Sequence, residues 1–67
     1  MYGKGSLFIM GKIKSNERFR RLGSNGLVTN VIHCVFWPPS ERWRVEKVLK
    51  ILQEDNPGGV FKIEETR

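Results

Sequence analysis

The chain predicts a small α+β domain of ββαβ order, a three-stranded sheet with one helix packed on one face. Three features carry that expectation. Apolar residues alternate near the beginning, a β-branched and aromatic run fills the middle, and a single i, i+3, i+4, i+7 apolar stripe follows between prolines. With 67 residues there is room for one domain, spanning 1–67, and its core must be thin.

Met1 to Gly5 reads as a flexible arm, 1–5. Ser6 to Lys14 reads as a strand, with Leu7, Ile9 and Ile13 on one face and Phe8, Met10, Lys12 and Lys14 on the other. Residues 15–26 form a long basic loop. It carries Arg18-Phe19-Arg20-Arg21 and closes on Gly23-Ser24-Asn25-Gly26, residue types that tolerate the positive φ of turns. Leu27 to Trp37 is the expected second strand, rich in β-branched and aromatic residues. Both of its faces are largely apolar, which predicts cover on both sides.

Pro38-Pro39 stops that strand, and the Ser40 hydroxyl is placed to cap a helix by accepting a bond from an orphan N–H. Glu41 sets a carboxylate near the positive helix end. The helix runs to about Glu54, burying Val45, Val48, Leu49 and Leu52, with Arg42–Glu46, Glu46–Lys50 and Lys50–Glu54 as supporting pairs. Asn56-Pro57-Gly58-Gly59 ends it. Val60 to Glu64 is the third strand, Phe61 and Ile63 inward, and residues 65–67 fray. One helix covers only one face of the sheet. The other then presents some of Phe8, Met10, Val35 and Trp37, a patch that marks an interface with a second copy or a docked protein.

Several function classes fall away. Cys34 is alone, so no internal disulfide forms and a disulfide-built secreted scaffold is excluded. One His and one Cys cannot supply the four ligands of a structural zinc, so neither a metal nor a cofactor is expected. His33 and Cys34 are adjacent on a strand and point to opposite faces, which forbids a nucleophile–base dyad. The carboxylates are accounted for by the helix surface and the tail, and the protein is expected to be non-enzymatic. Gly3-Lys4-Gly5-Ser6 lacks the spacing and the following helix of a phosphate loop. No run approaches the roughly 18 apolar residues of a membrane span, and Leu7 to Met10 is too short for a signal peptide. No membrane association is therefore expected, and a cytoplasmic location follows by elimination, with an organelle interior or a virus-infected cell left equally open.

The net charge of +5 is unevenly placed. Residues 1–26 hold six basic residues against Glu17 alone, whereas residues 27–67 hold six of each sign. Concentrated charge attracts a polyanion. Lys12, Lys14, Arg18, Phe19, Arg20 and Arg21 are thus the candidate nucleic-acid-binding residues: guanidinium groups grip phosphate and Phe19 can stack on an unpaired base. Alternatively, those charges only solvate the loop, with Phe19 and Leu22 against the core edge. Trp43, Lys47 and Lys50 share the polar side of the helix as a candidate partner contact, unless Trp43 folds back on Pro38 and Pro39.

The segment Gly58-Gly59-Val60-Phe61-Lys62-Ile63-Glu64 after a helix, with Arg20-Arg21-Leu22-Gly23-Ser24 before a strand, resembles the small linker domains of phycobilisomes. The strand–helix–turn–strand order from Leu27 onward is similar in outline to some small ribosomal proteins. Neither resemblance supplies a specific motif, and the longer helix and Pro38-Pro39 depart from the linker pattern. The expected function is nucleic-acid binding, RNA more than DNA, because no helix carries a wholly basic face for a major groove. The alternative is a protein-interaction module, a linker, accessory subunit or inhibitor that docks its open sheet face on a larger assembly.

Overall fold

The computed structural model describes residues 5–67. Its elements are β1 (Leu7–Lys12), β2 (Arg20–Gly23), β3 (Gly26–Val28), α1 (Arg42–Asp55) and β4 (Val60–Glu65), with 3₁₀ turns at Val31–His33 and Pro39–Glu41. The strands make one antiparallel sheet in the order β3-β2-β1-β4. The α+β class holds, with four strands where three were expected.

Alternation in β1 sets the two sides of the sheet. Leu7 and Ile9 face α1 and join Val45 in the core, against which Leu22, Trp37, Val48, Leu49, Leu52 and Ile63 pack. Ile9 and Val45 are 0% exposed. The predicted stripe of α1 is therefore the stripe that packs. At the next inward position of β1 stands Gly11, opposite Phe61 of β4. A Cβ there would overlap the Phe61 ring, so the missing side chain is what lets the ring lie across β1.

Four expectations need correction. First, the loop expected over 15–26 contains β2. Ser24-Asn25 is a two-residue turn joining β2 to β3, closed by the Gly23↔Gly26 pair, and Gly26 has φ 128°, a conformation open to glycine. Second, Leu27–Trp37 is not one strand. The Asn30 side-chain oxygen accepts the Ile32 N–H at 3.1 Å and its carbonyl accepts the His33 N–H at 3.1 Å. A local side-chain bond of this kind competes with the sheet ladder and winds the chain into the 3₁₀ turn. Beyond it Cys34 bridges to Gly23, and Trp37 exchanges two backbone bonds with Leu7 at 2.7 and 2.8 Å. Trp37 consequently packs on the core and leaves the open face.

Third, Ser40 is not the helix cap. Proline suits the first position of a helical turn, and the chain begins to wind at Pro39, so Ser40 lies inside the 3₁₀ turn; Glu41 stands before α1 without a side-chain cap bond. Glu41 instead pairs with Arg44 at 3.1 Å, and Arg42 with Glu46 at 3.3 Å as expected. Fourth, the tail expected to fray at 65–67 is held. Glu65 ends β4, the Thr66 N–H donates to the Ser6 carbonyl at 2.8 Å, and the Thr66 hydroxyl accepts the Ser6 N–H at 3.0 Å. The arm expected over 1–5 lies, apart from Gly5, outside the described residues.

Candidate nucleic-acid interface

The face of the sheet away from α1 is set by the even positions of β1. Phe8, Met10 and Lys12 stand opposite Glu64, Lys62 and Val60 of β4, and Met10 stands opposite Arg21 of β2. Continued one step past β2, the same register puts Phe19 beside Lys12. Three phenyl rings and three cations meet here. The Lys62 Nζ lies 4.4 Å and the Lys12 Nζ 4.9 Å from the centre of the Phe19 ring, and the Arg21 guanidinium lies 5.9 Å from that of Phe8. Phe36, from the extended stretch after the 3₁₀ turn, packs tilted on Phe8 with centroids 5.4 Å apart. All three rings are half-buried. Lysine and arginine stems cover apolar surface while their charged ends stay wet, so these three cations shield the rings of this face. Lys62 also lies 3.6 Å from Glu64, the acidic member of the face.

The loop between β1 and β2 is tied down by Glu17. Its Oε1 accepts the N–H groups of Lys14 at 2.9 Å and Ile13 at 3.1 Å. The bond from Lys14 is the largest influence on the Glu17 carboxyl; desolvation opposes it, and the bond from Ile13 with the charges of Arg20 and Lys14 leaves the pKa below its ordinary value. The Lys12 ammonium donates to the Ser15 carbonyl at 3.1 Å, which steadies its stem beside Phe19.

The structure therefore divides the expected site. Lys12, Phe19 and Arg21 come together on the open face. Arg20 does not: paired with Gly11, it turns to the helix side, lies 4.0 Å from Glu17, and lines a cavity of about 280 Å³ with Leu22, Leu27, Leu52 and Phe61. Lys14 and Arg18 are exposed in the loop beside the open face. Trp43 is 60% exposed with Arg44 5.2 Å from its ring, and Lys47 and Lys50 are exposed on the same side of α1. Phe36 and Lys62 also lie on this face and were missed, while Phe8, expected on an open interface patch, was not counted among the nucleic-acid-binding residues. Phe8 and Lys62 sit at even positions of alternating strands, so the signal existed, but only the pairing of β1 with β4 brings them together.

Cys34 is buried, and burial pushes its thiol pKa up against the opposing charge of Arg21. His33 is exposed in the 3₁₀ turn. Among the described residues no group of three His, Cys, Asp or Glu could hold a metal ion, and no helix is long and apolar enough to cross a membrane. No family model matches this chain, no curated protein matches it, and no solved structure matches it.

Proposed function

We propose that this protein binds single-stranded nucleic acid, RNA in preference to duplex DNA, across the open face of its sheet. The observation that carries the proposal is the interleaving of Phe8, Phe19 and Phe36 with Lys12, Arg21 and Lys62 on one surface. The energetics favour an exchange of partners. An exposed cation–π contact is worth about 0.5–1 kcal/mol, whereas a base stacked on an aromatic ring contributes about 1–3 kcal/mol and a charge-assisted bond to phosphate is stronger than a neutral one. An incoming strand draws the cations from the rings to its phosphates and leaves ring faces for its bases. The open face sets rings among cations, and among the described residues no helix offers a wholly basic face, which suits an unpaired strand better than a duplex groove.

Three cations engaging three phosphates give log K against log salt a slope of about −2, at about −0.7 per phosphate on a single strand. Filter-binding titrations with an unstructured RNA at three salt concentrations measure it. Replacing Phe8 and Phe19 together by Ala weakens binding by about tenfold or more while leaving that slope in place, because stacking is lost and charge is kept. Absence of binding to single-stranded RNA or DNA at low salt overturns the proposal.

Protein docking keeps one observation of its own. Trp43 and Ile51, 60% and 52% exposed, lie on the outer side of α1 two turns apart, with Lys47 between them. Trp43→Ala leaves nucleic-acid binding unchanged if the open face is the binding surface. Loss of binding in that variant moves the site to α1.

A further inference from the structure

Among the described residues β4 has β1 on one side and no strand on the other. Its pairing with β1 runs without a bulge from Lys12↔Val60 to Leu7↔Glu65, and the strand contains no proline. Successive residues of a strand turn their backbone groups to alternate edges. Leu7 gives both its N–H and its carbonyl to Trp37, on the β2 side, so Glu65 opposite it is turned away from β1. Thr66, one step on, donates to Ser6. By alternation Phe61, Ile63 and Glu65 aim their donors and acceptors out of the sheet, while Lys62 and Glu64 aim theirs at β1. An edge of this length without proline or bulge is a template for another strand.

The side chains on that edge are complementary to themselves. Antiparallel pairing of β4 with a copy of itself, centred on Ile63, sets Phe61 against Glu65 and Lys62 against Glu64 in both directions. A slip of two residues sets Lys62 against Lys62 or Glu64 against Glu64, and like charges directly opposite are destabilising. The register is thereby selected as well as allowed. We infer that the β4 edge pairs with a second copy of this chain, antiparallel and centred on Ile63, Lys62 of each copy facing Glu64 of the other. The twofold axis is perpendicular to the sheet, so the two sheets merge into one of eight strands with both helices on one side and both phenylalanine–cation faces on the other. Lys62 of each copy lies at the seam.

The test uses the intact protein without nucleic acid, so its outcome is independent of the proposed function. Sedimentation across a concentration series is expected to show a monomer–dimer equilibrium. Amide exchange is expected to slow at Phe61, Ile63 and Glu65 as the dimer fills, while Lys62 and Glu64 are protected in both states. Lys62→Glu and Glu64→Lys each place like charges opposite at two sites and weaken the dimer by about tenfold; the double variant restores it. A monomer at high micromolar concentration overturns the inference. So does a dimer whose Phe61, Ile63 and Glu65 amides exchange freely, and so does a double variant no tighter than either single one.

Discussion

On the helix side of the sheet Ile9 is fully enclosed by Leu7, Val45 and their neighbours; one residue away along the same strand, Phe8 and Met10 stay half-exposed beside Arg21 and Lys62. The strands are shared, yet the two sides exclude water by different means. Apolar burial is permanent and gives stability. Cover by lysine and arginine stems is reversible, since each cation that shields a ring can leave it for an anion. Under the proposed function such a face is shielded when free and aromatic when occupied, and substitutions on the two sides should separate stability from binding.

The largest expected effect is Ile9→Ala, at about 2–5 kcal/mol, which is comparable with the whole stability of so small a domain. Phe8→Ala should cost distinctly less in chemical denaturation while weakening RNA binding. If the two rank alike in both measurements, the faces are not distinct. Next is Gly11→Ala. Its Cβ meets the Phe61 ring, and overpacking of this kind costs about 1–3 kcal/mol, read from the denaturation midpoint.

A finer comparison uses neighbours on β2. Arg21→Ala should flatten the salt slope of RNA binding by about 0.7, whereas Arg20→Ala, on the helix side, should leave it unchanged. Equal effects would mean that the basic stretch acts as a loop regardless of face. The smallest effect is electrostatic. The folded-state pKa of Glu17 is depressed, so its hold on the loop is complete above the ordinary carboxylate value of 4.5 and is lost as pH falls through the lowered one. The amide shifts of Ile13 and Lys14 should titrate together below pH 4.5, and Glu17→Gln should abolish that titration.

Much of this architecture is legible in the residues. The stripe Val45, Val48, Leu49, Leu52 locates α1 and its buried side, and the alternation Leu7-Phe8-Ile9-Met10 locates β1, because both patterns are local and both elements pack by them. The hairpin of β2 and β3 is not legible. Gly23-Ser24-Asn25-Gly26 marks a turn, but Arg20-Arg21-Leu22 before it is charged and short, and becomes a strand by pairing with Met10 and Gly11 on one side and with Leu27 and Val28 on the other. The run Leu27–Trp37 has the composition of a strand, which a single side-chain bond from Asn30 overrides. The candidate face was half found for the same reason. Lys12, Phe19 and Arg21 lie close together in the chain, whereas Lys62 reaches them only through the register of β1 with β4.

That register also governs how the chain can fold. β1, the first strand, sits at the centre of the sheet, and its longest partner is the last strand; the bond from Ser6 to Thr66 spans 60 positions. The hairpin of β2 and β3 and the first turns of α1 can form early from neighbouring residues. Ile9 cannot be enclosed until Phe61 and Ile63 have been synthesised and have returned to β1. Such non-local closure slows folding relative to a helical bundle of equal length. During synthesis the basic hairpin and the apolar side of α1 are therefore exposed together until β4 clears the ribosome, so commitment to the native state comes after translation of this segment.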